Sequence, residues 1–357
     1  MTIAQYEKKI KSICRQVEVL SFNDDSDLGL KFDIFSASLK NYLPSIPYSS
    51  HKSIFREVIK NQKLSIFEQS YFDLIEKCEI IGYKKEIETI ISNSPCIICT
   101  YHTGSYRLIN HFLVKNKTNF TLVIANKVKN KYGSVFSNLF ETMTLDAKSG
   151  TFDLLDAEDP ASGLKMYKAL KAGRSLLLYI DGNTGSSDKN KNICDINFLS
   201  QRIYARKGIG YLSYLANVPI IPVICKRGDQ NRIILFFEDI MYPDRNQTKD
   251  EYSLGTTIKL YQYLEKFLKL YPGQWEGWSY LHKTAHIINT FKTENSDAFN
   301  LNNLFLRSIN FKNGEYSLFR DSRQCFLFQK QGYRFFPISE DVFRELKKMK
   351  LESESLF

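Results

Sequence analysis

Two residues in this chain stand where a proton can be moved. His102 follows the apolar run SPCIICTY and opens HTGSYR, and Asp181 follows RSLLLYI and opens DGNTG. Both runs are short and β-rich, and both are broken by Gly-containing turns. An imidazole held by backbone at a strand end, just before a helix, suits a base that takes a proton from an attacking hydroxyl or amine. If both strands lie in one parallel sheet, the two residues share the rim beyond the carboxyl ends, where ligands bind. His102 and Asp181 are therefore the candidate catalytic pair. Ser105 and Arg107 follow closely, and a guanidinium at that place can grip a phosphate or carboxylate. They are candidate substrate contacts, as are Gly182 and Asn183. With Gly185, these last two form a loop whose backbone can hold an anion. Plainer readings stand beside each: a structural histidine, a solvated Arg107, and an Asp181 that only shapes a turn.

The elements that must position these residues are legible in outline. Residues 1 to about 88 show apolar residues three and four apart, as in SSHKSIFREVIKNQ and SIFEQSYFDLIEKC, and read as a helical region. Next comes a helix-like KKEIETIISN and then a series of apolar runs: PCIICTY, NFTLVIAN, RSLLLYID, VPIIPVICK and RIILFFEDI. Helical patterns lie between them, including SGLKMYKALKAG, which Gly173 closes. Apolar strands alternating with helices predict an α/β fold with a mostly parallel central sheet flanked by helices. A long helix, SLGTTIKLYQYLEKFLKLYP, precedes a Trp-rich segment. After a polar stretch, LFLRSINF, EYSLFR, QCFLFQK and YRFFPI read as antiparallel strands, followed by the helix EDVFRELKKMK. The organisation expected is 1–80 helical, 81–290 α/β, and 300–357 a small α+β module.

Composition bounds the function classes. The chain has 357 residues, 43% hydrophobic and 25% charged, enough for a sizeable core. Its 26 Phe and 21 Tyr can fill that core or line a groove for an apolar ligand. A net charge of +10 suits acidic carriers, anionic membrane surfaces or nucleic acid. The basic residues are scattered rather than gathered in an arm, so no nucleic-acid partner is expected. The seven Cys have no regular spacing. Cys96 and Cys99 lie in an apolar strand without a second pair, so no metal site is read from them and reduced thiols are the simpler reading. No stretch has the roughly 20 apolar residues of a membrane span. The expected location is cytoplasmic, with any membrane contact peripheral to the inner membrane.

Four blocks together carry a resemblance. GYKKEIETIISNSPCIICTYHTGSYRLINHFLVK, KALKAGRSLLLYIDGNTGSS, INFLSQRIYARKGIGYLSYLANVPIIPVI and YPGQWEGWSYLHK follow one another in order. Over roughly residues 80 to 285 the chain resembles the lysophospholipid acyltransferase superfamily, especially its lipid A lauroyl/myristoyl branch. The resemblance implies a glycerol-phosphate-acyltransferase-like sheet and acyl transfer from acyl-CoA or an acyl carrier protein, with no permanently bound cofactor. It implies a cationic contact region at Arg202, Arg206 and Lys207. It makes Trp275, Trp278 and His282 part of a closing signature, read here as packing.

One position departs from the pattern. In the family, an acid stands five residues after the histidine; here that residue is Arg107. An arginine cannot hold the imidazole tautomer or stabilise imidazolium, and its charge is expected to lower the His102 pKa. Either the acid comes from elsewhere, with Asp181 the first candidate, or the chemistry is altered and Arg107 grips an anion. The corresponding functions are an acyltransferase acting on a peptide, natural-product or lipid acceptor, and a non-catalytic protein of the same fold that binds a lipid, carrier or peptide.

Overall fold

The computed structural model describes residues 3–22, 26–130, 150–182, 192–286, 309–320 and 324–354. By its contacts the chain divides into two compact units, each assembled from separated segments. The first comprises Met1–Arg15, Val58–Cys194 and Ala205–Glu276. The second comprises Gln16–Glu57, Asp195–Tyr204 and Gly277–Phe357.

Three helices come first: α1 (Ile3–Glu18), α2 (Asp27–Tyr42) and α3 (His51–Glu68). The region read as helical ends differently, in a short strand, β1 (Glu79–Ile81). Three residues are too few to declare a period, and this strand forms because it finds a parallel partner. The first unit then continues through α4 (Lys85–Asn93), β2 (Ile97–Thr100), α5 (Leu108–Lys115), β3 (Phe120–Ile124), β4 (Phe152–Asp156), α6 (Ser162–Lys171) and β5 (Ser175–Tyr179). A ribbon of β6 (Ile193–Phe198) and β7 (Gln201–Arg206) carries the chain into the second unit and back. The first unit closes with α7 (Gly208–Ala216), β8 (Ile220–Arg227), β9 (Ile233–Phe237) and α8 (Lys249–Leu270).

Its seven-stranded sheet has the order β1-β9-β8-β2-β5-β3-β4. Every pair is parallel except β8–β9. The fold is therefore α/β, with a mostly parallel central sheet flanked by helices, as the alternation of apolar runs predicts. The central strands are buried along their whole length, which is why IICT and IIPVIC read as continuous rather than alternating hydrophobic runs. Local signals agree with the boundaries. Gly173 ends α6 from the left-handed region, at φ +82°. Thr248 and Glu251 form a reciprocal capping box at the start of α8.

In the second unit, β10 (Tyr316–Arg320), β11 (Cys325–Gln329) and β12 (Arg334–Ile338) form an antiparallel sheet, followed by α9 (Glu340–Glu354). Leu318, Leu327, Ile338, Phe343 and Leu346 make its core. LFLRSINF falls largely outside the described residues, and its described end, 309–311, contains no strand. Helix α2 belongs to this unit and turns a polar face inward. Lys330, fully buried, lies 3.3 Å from Asp33 and 3.1 Å from Ser36. Among the described residues, no helix is long and apolar enough to cross a membrane.

Candidate functional site

Strand register assembles the site. Parallel β2 and β5 place Thr100 beside Tyr179. His102 and Asp181 each lie two residues further on, so the ladder that pairs the strands also delivers the two side chains to one rim. The His102 Nδ1 and Asp181 Oδ1 atoms are 2.8 Å apart. The other carboxylate oxygen, Oδ2, accepts the His102 backbone N–H at 2.9 Å and the Trp275 indole N–H at 2.6 Å. Three donors thus converge on Asp181, whose side chain is 1% exposed, while the imidazole keeps 23% of its surface open. A carboxylate on Nδ1 favours the tautomer that leaves the Nε2 lone pair as the base.

The rim is aromatic. The His102 ring stacks on Tyr179, with centroids 4.7 Å apart, and meets Tyr106 edge-on at 5.0 Å. Burial pushes the phenol pKa of both tyrosines well up, so both are neutral surfaces near pH 7. Burial works the other way on His102 and favours its neutral form. The Asp181 charge and hydrogen bond, with Glu276 beyond them, outweigh it, and the imidazole pKa is raised above its ordinary value. Arg107 opposes this rise but does not prevail. Arg107 thus acts in the expected direction, but the expected net lowering is corrected to a net rise: a carboxylate in contact acts more strongly than a more distant, compensated cation.

Arg107 sits at the N-cap of α5. Its guanidinium lies over the Tyr106 ring, donates to Ser65 Oγ at 3.0 Å and approaches Glu276 Oε1 at 3.7 Å. Glu276 also accepts from the Gln62 amide at 3.2 Å. The Arg107 charge is thus largely answered by protein groups. Ser105 is fully buried and turned inward, where its hydroxyl bonds Glu68 and Arg227. Those two make a bidentate ion pair, 2.9 and 2.8 Å, with Tyr6 and Asn61 completing the cluster.

The other sequence candidates are more scattered. Gly182 follows Asp181 directly, and its N–H reaches Tyr179 O at 3.4 Å. Asn183 and Gly185 lie outside the described residues. Lys207 pairs with Asp250 at 3.1 Å on the first unit's surface, and Arg206 precedes it. Arg202 belongs to the second unit, where it pairs with Asp195 at 2.9 Å. Cys99 lies in β2 and Cys96 immediately before it; both are buried, with pKa values raised chiefly by burial, and are not thiolates near pH 7.

One segment reaches further into the site than packing requires. Gln274, Trp275 and Glu276 run antiparallel to His102, Thr103 and Gly104. Gly104 N–H donates to Gln274 O at 3.0 Å, Thr103 bridges Trp275, and Glu276 N–H donates to His102 O at 3.0 Å. Gly104, at φ +52°, permits this turn; a Cβ there would stand 2.8 Å from Cys225 O. The sequence signal was the clustered Gln-Trp-Glu between Gly and Gly, but nothing in its spacing named His102 as its partner. Comparison with protein-family models and with curated proteins finds no match to this chain.

Proposed function

We propose that this protein is an acyltransferase that moves a fatty acyl group from acyl-CoA or an acyl carrier protein to a hydroxyl or amine. The observation that carries this reading is the 2.8 Å contact of Asp181 with His102 Nδ1, which supplies the acid that the sequence pattern lacks at Arg107. The chain's resemblance to the lysophospholipid acyltransferase superfamily, lipid A branch, supplies the reaction class.

In this mechanism, Asp181 holds the Nδ1–H tautomer, and Nε2 takes the proton of the acceptor as its oxygen or nitrogen attacks the thioester carbonyl. Imidazolium forms beside a carboxylate that three hydrogen bonds already orient. Collapse of the tetrahedral intermediate breaks the carbon–sulfur bond, and the proton passes from Nε2 to the departing thiolate. The products are an ester or amide and a free carrier thiol. Tyr106 and Tyr179 wall the ring with neutral aromatic surface. A positive net charge favours encounter with either acidic donor. The acceptor classes proposed are a peptide, a natural-product scaffold or a lipid, met in the cytoplasm or at the inner-membrane surface.

The test is intact mass spectrometry of candidate acceptors incubated with an acyl-CoA or acyl-carrier donor. Wild type should add the acyl mass and His102→Ala should not. Equal activity in the two would remove the catalytic reading. Binding of donor or acceptor without transfer by either would favour a binding protein of the same fold.

A further inference from the structure

We infer that Trp275 is a positioning residue for the His102–Asp181 pair. Asp181 Oδ2 receives two N–H donors from different directions, the His102 backbone at 2.9 Å and the Trp275 indole at 2.6 Å. With Oδ2 engaged in this way, Oδ1 is turned toward His102 Nδ1 at 2.8 Å. A carboxylate on a single Cβ–Cγ axis has a broad, roughly two-fold torsion. The backbone donor alone fixes one point on that torsion, and the indole fixes the second. Trp275 is itself held, because its backbone bridges Thr103 and its neighbours bond to either side of that residue. One face of the clamp is the His102 backbone and the other is the indole of the strap Gln274–Glu276, which is laid against 102–104, so the two donors are fixed to each other by the same backbone hydrogen bonds. The indole is buried, so its N–H meets the carboxylate without competition from water.

The role predicts what deletion of one N–H does. Trp275→Phe keeps an aromatic ring and removes the donor. The carboxylate then samples rotations that leave Nδ1, and the His102 titration midpoint falls toward the ordinary histidine value by about half a unit or more. The fraction of the Nδ1–H tautomer falls with it. Both are read by nitrogen-resolved NMR of the histidine side chains in the full chain, with His102→Gln assigning the signal. Should the Phe variant fail to fold, benzothienylalanine placed at 275 by codon suppression exchanges only the N–H for sulfur. The kinetic part rests on the acyl-transfer reading: kcat falls about tenfold or more while KM is unchanged, because proton transfer rather than binding is disturbed.

A His102 midpoint and tautomer like those of wild type in a folded variant overturn the inference. So does a rise in the midpoint, which would mean that the indole only attenuates the carboxylate charge. A lowered midpoint supports it even where wild type transfers no acyl group, so a failure of the acyl-transfer reading is seen separately.

Discussion

Two acid–base pairs in the first unit start from the same physics and arrive at different ends. Glu68 and Arg227 are 0% and 4% exposed and face each other through two parallel hydrogen bonds. Asp181 is about equally buried, but its partner is a partly open imidazole. In both, a carboxylate removed from water must be matched by donors. In the first, the cation is a guanidinium, whose pKa is held up against burial by Glu68 and which cannot lose its proton in the working range. That pair can only be structural. In the second, the partner is an imidazole, which can gain and lose a proton, its pKa is raised by the carboxylate beside it, and part of the ring is accessible. The difference between the scaffold pair and the proposed reactive centre lies in the partner's ability to give up a proton, and in one opening.

The comparison can be broken most forcefully at its rigid end. Arg227→Met leaves Glu68 buried without its cation and should cost about 3–5 kcal/mol in denaturant unfolding. Adding Glu68→Gln to that variant should restore part of the loss, whereas His102→Ala should cost only about 1–2 kcal/mol. Equal costs for Arg227→Met and His102→Ala would erase the distinction. At the reactive end, Asp181→Asn should lower kcat by about a thousandfold or more, since an amide cannot favour the same tautomer or stabilise imidazolium. Its acid limb should also move. The raised His102 pKa places the wild-type loss of activity, as pH falls, above the ordinary histidine range. Removing the carboxylate lets burial dominate and shifts that limb downward.

A second histidine sharpens the contrast, since no acid pairs with it among the described residues. His111 is fully buried on α5, and burial drives its pKa down to about 4. The unfolded chain binds a proton near pH 6.5 and the native state does not. Stability from this group is therefore intact above that pH and is lost as pH falls toward 4, by at most about 3 kcal/mol. Unfolding measured between pH 7 and 4 should show a shallower slope in a folded His111→Gln variant. The smallest effect belongs to the outer pair. Glu276→Gln should lower the His102 midpoint, and Arg107→Gln should raise it, each by less than Asp181→Asn does; side-chain NMR titration distinguishes the signs.

The sequence made some of this readable and hid the rest for identifiable reasons. The central strands were visible because burial on both faces leaves continuous apolar runs, and the two rim residues were visible because each run ends at a turn. Asp181 could be nominated from its place after a strand, but its contact with His102 depends on β2 and β5 being neighbours in register, which no local pattern states. β1, β4 and the β6–β7 ribbon are not readable from sequence: β1 is three residues long, FDLLD carries two acids, and ICDINF and QRIYAR are interrupted by polar and charged residues. Glu68 and Arg227 gave no signal, since a charge at the end of a helix or strand usually faces water. Trp275 looked like core because an indole supplies both apolar area and a donor, and only geometry says which is used.

The rim built by β2 and β5 has a temporal consequence. Its two partners are 79 residues apart in the chain and meet only through a correctly aligned long-range rung. A nascent or partly unfolded molecule therefore carries both ingredients without the reagent, and a slip of one residue between the strands would separate them. The histidine–carboxylate contact is thereby tied to completed assembly, so under the proposed acyl-transfer reading premature or misassembled copies would be inert toward activated thioesters.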